Sequence, residues 1–498
     1  MAVNAPDTTV RREHNLAQGT IALVGVQSAF LIGGYFVHFY LGRKLGPADY
    51  GVFGVVMAFL TWMEVSLTGG FPNAIRKFGA EREELMSAIA RSAIRGQFVF
   101  STLIFIIALA TAPWVAKLMH DPGLTGLIRL ASIDIPIYAF YFCYTAILNG
   151  KRNYVKQSSA MLIYAIAKVG TMLFLVIIGF GVRGAIIGNI LASIGGLATA
   201  AIAAGRLPKT ITYPIKKLIS YAGGTAVFSI GFTLLMSIDM FAVKALMRTP
   251  ESTGFYTAAY MVARAPFYVL IGIPAATLPA LSKAASNHDY GAVRLYVRQS
   301  LRLHMILLVP ITAILSGTSS GIVELLYTNK YIPAVPALAV LAAGLMLFGF
   351  LYALYNILVA IGDIRTPLLG TTILIAIALA LNIALIPRFG ITGAAVASVS
   401  TAGAGLLASA VICAGRLGGL VAPLSAFRIT VAGIMVYLAA GLLPARGLQL
   451  AGTYVVLFAV YALALTAMRE ITKEDISKIA AAVAPSIKNR RCGEGKTR

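Results

Sequence analysis

The sequence predicts an all-α polytopic membrane protein with 14 transmembrane helices, arranged as two parallel six-helix repeats plus two C-terminal helices. Three observations predict this fold class. Of the 498 residues, 59% are hydrophobic and only 12% are charged, with a mean hydropathy of +0.84, whereas soluble domains have about a quarter of their residues charged. The apolar residues fall in runs of about 20, the length that crosses a bilayer core. The second half of the chain also contains a weak copy of the first.

The apolar runs follow one another through the whole chain, separated by short polar or basic connections. The polar N-terminus leads into the first run without a small-residue cleavage site, so we interpret this run as a retained helix and not as a signal peptide. The fourteen predicted helices lie at 16–41, 48–71, 93–117, 124–148, 156–180, 184–205, 218–246, 254–280, 299–322, 335–360, 366–387, 391–414, 427–444 and 449–468.

The net charge of +23 is explained by membrane topology and not by nucleic-acid binding. Lysine and arginine favour the N-terminus, the even-numbered connections and the C-terminal tail over the odd-numbered connections by roughly three to one. Positively charged connections stay on the cytoplasmic side of a membrane. The bias therefore predicts a multi-pass plasma-membrane protein with both termini in the cytoplasm. Membrane lipids, and not nucleic acids, are the expected partners of this charge.

An internal repeat defines the predicted domains. The letters FGVRGA at 180–185 return as FGITGA at 389–394, an offset of roughly 210 residues. Six helices per repeat is an even number, so both copies insert in the same orientation, as in parallel transporter repeats. The predicted divisions are a cytoplasmic N-terminus (1–15), an N-lobe (16–206), a cytoplasmic linker (207–217), a C-lobe (218–416), helices 13 and 14 (427–468) and a basic cytoplasmic tail (469–498).

Five ionisable side chains lie inside predicted spans. Each would cost about 2.5–3.5 kcal/mol facing lipid at mid-depth, so most are expected to face protein or water. The argument is weaker for Asp134 and Asp239, which lie nearer helix ends. The five are Glu64, Asp134, Lys168, Asp239 and Arg264.

Polar and aromatic residues share helix faces with these charges. Tyr260, Arg264 and Tyr268 recur every four residues on the eighth helix, the spacing of one helical stripe. Arg264 and Lys168 lack an acid three or four residues away on their own helices and lie too deep to snorkel. They indicate a water-filled cationic cavity between the lobes. The alternative is that both are paired across helices with Glu64 or Asp239 inside a packed bundle.

The sequence contains no catalytic or cofactor motif in a suitable context. The GxGxxG match at 179–184 joins two apolar helices and has no βαβ unit around it. No nucleotide-binding domain, catalytic triad or histidine–cysteine cluster is evident. We therefore expect that the protein is not an enzyme and that it binds neither a cofactor nor a metal ion. Three cysteines, Cys143, Cys413 and Cys492, give an odd count without a CxxC pair and do not indicate a disulfide framework.

The stretch LGRKLGPADYGVFGVVMAF at 41–59, followed by GGFPNAIRKF at 69–78, resembles the amino-terminal signature of the polysaccharide transporter flippases. These proteins belong to the multidrug/oligosaccharidyl-lipid/polysaccharide exporter superfamily. The resemblance implies transfer of a polyprenyl-(pyro)phosphate-linked oligosaccharide to the outer leaflet, by alternating access through a cationic cavity. Such lipid-linked oligosaccharide is the implied substrate, and a polysaccharide polymerase or glycosyltransferases are implied as further partners.

The resemblance also implies roles for particular residues. Arg264 matches the deep arginine on the eighth helix of the related peptidoglycan-precursor flippases. Apart from the resemblance, coupling to protons or sodium stays open at the level of the sequence, and the acids Glu64 and Asp239 inside the spans are the candidates for it. The candidate substrate-binding residues are Arg264, Lys168, Tyr260, Tyr268, Tyr138, Tyr141 and Arg76.

Other functions remain open at the level of the sequence. A peptidoglycan-precursor flippase shares the fourteen-helix plan. A cation-coupled drug exporter of the same superfamily typically has twelve helices and acidic coupling sites, which fits less well. A scaffold or a membrane-embedded glycosyltransferase would need a partner surface or an acidic metal-binding motif, neither of which is evident in the sequence.

Overall fold

The structure is a computed structural model that describes residues 7–208, 213–247, 249–270, 280–417, 420–443, 446–447 and 449–470. Within these ranges the chain forms α-helices and two short 3-10 helices, without a β-strand. The predicted tail beyond residue 470 lies outside the described residues. The α-helices are α1 (Asp7–Thr68), α2 (Phe71–Glu81), α3 (Met86–Leu118), α4 (Leu124–Ser132), α5 (Asp134–Gly150), α6 (Tyr154–Ile177), α7 (Gly181–Ala204), α8 (Ile215–Leu246), α9 (Pro250–Leu270), α10 (Tyr290–Gly317), α11 (Ser319–Leu326), α12 (Val335–Ala360), α13 (Arg365–Leu417), α14 (Pro423–Leu442) and α15 (Gln449–Ala467).

The predicted class of an all-α polytopic membrane protein is confirmed. In the described part of the chain, 11 helical stretches are long and apolar enough to cross a membrane. Two of them, in α1 and α13, are broken at Gly46 (φ 79°) and Gly390 (φ 60°), backbone angles that only glycine adopts readily. These breaks fall where the sequence predicts the boundaries between helices 1 and 2 and between helices 11 and 12. The total of fourteen crossings stays a prediction.

The fourth predicted helix, 124–148, is a broken helix and not a continuous one. Its hydrogen-bond ladder is interrupted at Ile133, between α4 and α5. Pro136 explains the interruption, because it has no N–H group to bond the carbonyl of Ser132. The break places Asp134 at the first turn of α5, where its buried carboxyl lies between neighbouring helices.

The helices pack in two groups. In the first half of the chain α5 and α6 pack against α7, and α1 packs against α6. In the second half α13 packs against both α8 and α12. Helix α1 also contacts α8 and α9, so it forms most of the contact between the halves. The exact domain boundaries stay a prediction.

The two groups of helices meet tightly at the end of the bundle that carries the Gly46 turn, which we call the Gly46 end. A Cβ atom on Gly254 would lie 1.8 Å from the carbonyl oxygen of Pro47. A Cβ on Gly51 would lie 2.6 Å from the backbone nitrogen of Gly254. Such distances leave no room for any side chain, so the backbones of α1 and α9 are in direct contact here.

Polar contacts reinforce this closure. The Lys244 ammonium lies 2.7 Å from the Asp121 carboxylate, which belongs to the other half of the chain. The Arg43 guanidinium donates to the carbonyl oxygens of Leu325 and Leu326, and the Tyr331 hydroxyl donates to the carbonyl of Gly42 at 2.7 Å. The Gly46 end, predicted to be extracytoplasmic, is therefore sealed by both backbone packing and charge.

The opposite end of the bundle, which carries the linker, is held by side chains. The Lys77 ammonium lies 4.4 Å from the ring centroid of Tyr221, and the Phe78 ring lies 5.8 Å from that ring. Arg91 donates to the carbonyl of Leu207 in the linker at 2.9 Å. We call this the linker end. Its contacts are made through side chains, whereas those at the Gly46 end include direct contact between backbones.

The C-terminal hairpin of α14 and α15 packs on α10. Its anchor is Glu470, only 5% exposed, whose carboxylate accepts from Arg302 at 2.8 Å and lies 3.7 Å from Arg428. Ser425 donates to the same carboxylate. Arg302 on α10 therefore ties the end of the hairpin to α10 at the linker end, and Arg428 closes the same carboxylate from within the hairpin.

Candidate functional site

Arg264 is a deep cation that forms no ion pair with the described residues. It lies fourteen residues along α9 from Pro250, which is about 21 Å from the Gly46 end at 1.5 Å per residue. Its Nε is buried without a hydrogen-bond partner, and no carboxylate of the described residues lies within ion-pair distance of it. The guanidinium is thus held in the bundle without a salt bridge, although Asp239 attracts it electrostatically.

Aromatic rings hold the Arg264 guanidinium in place. Its central carbon lies 4.7 Å from the ring centroid of Tyr268 and 5.3 Å from that of Tyr260, distances typical of cation–π contacts. Tyr260 is fixed in turn, because its hydroxyl donates to the carbonyl of Met236 at 2.9 Å. Tyr260 is 1% exposed whereas Tyr268 is 37% exposed. Of the two predicted substrate-binding tyrosines on this helix, only Tyr268 has an accessible ring.

A second cluster of charges lies between α1, α5, α6 and α7. Asn189 donates from Nδ2 to Asp134 Oδ2 at 2.7 Å, and the side chains of Glu64 and Ser193 both approach the same carboxyl. The Glu64 carboxyl therefore lies beside a second acid. The sequence identifies Asp134 as a charge inside a span, but not as the neighbour of Glu64. Asn189 and Ser193 are missed altogether, although their spacing of four places them on one helix face.

Lys168 lies beside this cluster. Its ammonium lies 5.7 Å from the ring centroid of Tyr164 and 5.9 Å from that of Phe30, and it interacts electrostatically with both Glu64 and Asp134. No carboxylate of the described residues is within ion-pair distance of the ammonium. Lys168 is thus attracted electrostatically to the two acids but forms no salt bridge with either of them.

The tyrosines of α5 belong to an aromatic cluster next to Lys168. Tyr141 stacks on Tyr164 with centroids 4.8 Å apart, and Tyr138 packs on Phe142 at 4.9 Å. Tyr141 is 3% exposed, so its ring faces are covered by packing. Tyr138 is half-buried and keeps part of its surface accessible.

Asp239 lies near the Arg264 cluster, where it interacts electrostatically with Arg264 and Tyr260, and Arg76 lies apart from both clusters. Asp239 is 3% exposed and accepts hydrogen bonds from the Tyr256 hydroxyl at 2.5 Å, the Ser398 hydroxyl at 2.8 Å and the backbone N–H of Met240 at 2.8 Å. Arg76 lies on α2 at the linker end and donates to Asn73 at 3.0 Å. Of the predicted residues, Arg76 therefore lies apart from the deep groups, whereas His38 interacts electrostatically with both Lys168 and Arg264 and links those two groups.

The described residues contain no group of three or more histidine, cysteine, aspartate or glutamate side chains placed to hold a metal ion. His38 contacts the Tyr50 hydroxyl through Nδ1 at 3.2 Å, and Cys143 and Cys413 are buried free thiols. The chemistry that this part of the chain offers is charge, aromatic faces and oxygen atoms.

Comparison with known proteins adds a family match and two curated relatives. The profile of a family described as polysaccharide biosynthesis proteins matches residues 40–336, more than half of the chain. An uncharacterized membrane protein of Methanocaldococcus jannaschii is 24% identical over 399 residues, covering 73% of this chain and 77% of the relative. A probable low-salt glycan biosynthesis flippase of Haloferax volcanii is 22% identical over 371 residues, covering 72% and 75%.

Solved structures share the fold. The lipid II flippase MurJ in an inward closed conformation superposes with a TM-score of 0.73 at 16% identity, covering 92% of this chain and 99% of that chain. An inward-facing multidrug resistance transporter of the MATE family gives a TM-score of 0.64 at 16% identity, covering 80% and 98%. At such identities the likeness establishes the fold and nothing about the substrate.

Proposed function

Because this chain belongs to the family of polysaccharide biosynthesis proteins, transporters of the multidrug/oligosaccharidyl-lipid/polysaccharide exporter superfamily, we propose that it is a flippase for a lipid-linked oligosaccharide. Its substrate is a polyprenyl-(pyro)phosphate-linked oligosaccharide, carried from the cytoplasmic to the outer leaflet of the plasma membrane for the synthesis of cell-surface polysaccharide. Both termini lie in the cytoplasm. The glycan biosynthesis flippase of Haloferax volcanii, a relative over most of its length, supports this substrate class.

The observation that carries the proposal is the unpaired guanidinium of Arg264. A pyrophosphate–sugar head group cannot enter hydrocarbon alone, because its charges would lose their hydration. Arg264 replaces part of that hydration, and its planar fork suits two hydrogen bonds to one phosphate. The accessible ring of Tyr268 beside it offers a flat face to the first sugar. The ring of Tyr260 packs against the guanidinium and positions it, so Tyr260 affects substrate binding only by way of Arg264.

Lys168 supplies a second, weaker positive charge on the opposite side of the path. Glu64 and Asp134 attract the Lys168 ammonium electrostatically, so they compete with a phosphate group for it and weaken its binding to that group. Tyr138 is the tyrosine of the neighbouring cluster with accessible surface, and Tyr141 positions it by packing. The two lobes thus each contribute one deep cation and one accessible tyrosine to a cationic cavity.

We expect the head group to enter that cavity from the linker end. The Gly46 end is sealed by backbone contact between α1 and α9, whereas the linker end is held by separable side chains such as Lys77 on Tyr221. Arg76, on the α2 helix at the linker end, is the first cation that an incoming head group meets. Separation of the Gly46 end, with closure of the linker end, releases the head group to the outer leaflet.

Of the two acids proposed for ion coupling, Glu64 fits better than Asp239. Asp239 already accepts three hydrogen bonds and behaves as a structural link between α8, α9 and α13. Glu64 has one carboxyl oxygen buried without a hydrogen-bond partner among the described residues. An acid that changes partners during transport needs such an unsatisfied oxygen.

Replacement of Lys168 tests the second cation. We expect Lys168→Ala to slow transfer about fivefold, the effect of losing roughly 1 kcal/mol, which is the contribution of an ordinary hydrogen bond, because the acids compete for this ammonium; Lys168→Arg should retain most of the rate. The measurement uses proteoliposomes with a fluorescent lipid-linked oligosaccharide and membrane-impermeant dithionite as quencher. Lys156→Ala, at an exposed position on the same helix, is the control. A wild-type rate for Lys168→Ala would contradict a role in substrate binding.

The same assay tests the function itself. Proteoliposomes are prepared with a polyprenyl-pyrophosphate oligosaccharide in one arm and with the lipid-linked peptidoglycan precursor in the other. Transfer of the first and not of the second supports the proposed function. Transfer of the precursor alone identifies a peptidoglycan flippase, and export of small cationic drugs without either lipid identifies a drug exporter.

A further inference from the structure

A chain of hydrogen bonds runs from the Gly46 end towards the deep cations. The Tyr327 hydroxyl lies 3.3 Å from the Tyr50 hydroxyl, which lies 3.2 Å from Nδ1 of His38. Tyr50 and Tyr327 are buried, and His38 is half-buried. The histidine lies eight residues before Gly46 on α1, about 12 Å deeper in the bundle at 1.5 Å per residue. We call these three residues the His–Tyr chain.

The His–Tyr chain crosses between the two halves of the protein. His38 and Tyr50 belong to α1, whereas Tyr327 directly follows α11 in the second half. Aromatic packing holds the contact, because the Tyr327 ring centroid lies 5.9 Å from that of Tyr50 and 5.6 Å from that of Phe39. The complete chain therefore exists only while the Gly46 end is closed, since separation of the halves takes Tyr327 away from Tyr50.

The hydroxyl protons fix the direction of the His–Tyr chain. Tyr327 has no hydrogen-bond acceptor among the described residues other than the Tyr50 oxygen, and a buried hydroxyl proton rarely stays unpaired. Tyr327 therefore donates to Tyr50, and the Tyr50 hydroxyl donates to Nδ1 of His38. A neutral imidazole whose Nδ1 accepts carries its proton on Nε2. The ring makes no other hydrogen bond within the described ranges, so this Nε2–H donor is free.

The ring of His38 lies close to both deep cations. It interacts electrostatically with Lys168 from the first half of the chain and with Arg264 from the second. Tyr35 lies three residues earlier on α1, on the same helix face, and interacts electrostatically with Arg264 and with Tyr327. This face of α1 therefore connects the head-group site to the closure at the Gly46 end.

We propose that His38 is a further contact for the head group, and that Tyr50 and Tyr327 position it only when the Gly46 end is closed. This inference rests on the proposed function. In the closed form the Nε2–H group of His38 donates to an oxygen of the head group held by Arg264. When the Gly46 end opens, Tyr327 leaves Tyr50, whose hydroxyl can then turn away from His38, and the donor is no longer fixed.

The consequence is a head-group affinity that depends on conformation. The head group binds more weakly once the Gly46 end opens, which favours its release to the outer leaflet. Coupling of this kind is reciprocal, so a bound head group must stabilise closure of the Gly46 end by the same factor. We expect a factor of about five, the effect of one ordinary hydrogen bond.

The test measures closure and binding together. Closure is measured by the rate at which a membrane-impermeant thiol reagent labels Thr257→Cys, a fully buried position, in a protein without its native cysteines. Increasing amounts of fluorescent lipid-linked oligosaccharide are present in the proteoliposomes. We expect this lipid to slow labelling about fivefold. In Tyr327→Phe, which keeps the ring and removes the hydroxyl, the lipid should leave the labelling rate unchanged.

The matched control is Tyr331→Phe. The Tyr331 hydroxyl donates to the carbonyl of Gly42 at 2.7 Å, so it also closes the Gly46 end but does not belong to the His–Tyr chain. Without lipid, both variants should be labelled faster than the wild type. Only Tyr331→Phe should still be slowed by the lipid. Equal responses of Tyr327→Phe and Tyr331→Phe to the lipid would overturn the proposal, because they would show that both hydroxyls act only in closure.

His38 itself is tested by two variants in the same binding measurement. His38→Gln keeps an N–H donor near the position of Nε2 and should retain most of the affinity. His38→Phe keeps a ring without a donor and should bind the lipid about fivefold more weakly. Wild-type affinity of His38→Phe would contradict this inference alone. If the wild-type protein neither binds nor transfers the lipid, the proposed function itself fails, and this inference fails with it.

Discussion

Replacement of Arg264 by alanine is expected to lower transfer of the lipid-linked oligosaccharide at least about 100-fold. The guanidinium makes two charge-assisted hydrogen bonds to the phosphate in the proposed complex, each contributing about 1.5–3 kcal/mol, and every 1.4 kcal/mol is a factor of ten. Arg264→Lys keeps the charge but loses the planar fork, so we expect an intermediate rate. The measurement is the dithionite assay in proteoliposomes.

The same variant should fold as well as the wild type. Arg264 forms no ion pair with the described residues, and its Nε has no partner, so its removal takes away a buried charge together with cation–π contacts of about 0.5–2 kcal/mol. The melting temperature in detergent checks this, with Arg183→Ala at an exposed position as the control. A fully active Arg264→Ala protein would remove this residue from the mechanism.

Replacement of Gly254 by alanine is expected to open the Gly46 end. The new Cβ would lie 1.8 Å from the Pro47 carbonyl oxygen, so α9 must move away from α1. Overpacking of this kind costs about 1–3 kcal/mol, which shifts a two-state equilibrium roughly five- to 150-fold. The measurement is the rate at which a membrane-impermeant thiol reagent labels Thr257→Cys, a position that is fully buried in the closed form.

The matched control is Gly195→Ala. A Cβ at Gly195 meets no atom within 4 Å, so this variant should label Thr257→Cys at the wild-type rate. Slower transfer is expected for Gly254→Ala, because a protein held open at one end completes fewer cycles. Unchanged labelling of the Gly254→Ala protein would mean that contact between α1 and α9 does not set the conformation.

Much of this architecture follows from local sequence features. Apolar runs of about 20 residues predict the helices, and the breaks at Gly46 and Gly390 fall at predicted boundaries because both lie in glycine-containing turns beside a proline or an FG pair. The hydrogen-bond break at Ile133 is also encoded locally, by Pro136. A hydropathy analysis does not detect this break, because a kink does not change the length of an apolar run.

The candidate site is less predictable, because it depends on contacts between distant segments. Hydropathy alone identifies Lys168 and Arg264 as charges that cannot face lipid. It contains no information on which acids lie near them, and the pairing of Glu64 with Asp134 joins two helices far apart in the chain. The four-residue spacing on the helix likewise does not distinguish Tyr268, whose ring is accessible, from Tyr260, whose ring is covered by packing.

In the proposed mechanism, Arg264 lines a wet, positively charged chamber. The most direct test of this claim labels Tyr268→Cys, beside Arg264, in a protein without Cys143, Cys413 and Cys492. The account predicts that an anionic thiol reagent added from the linker end labels this position faster than a cationic one, and that lipid-linked oligosaccharide protects it. Absence of labelling, or faster labelling by the cationic reagent, would contradict the account.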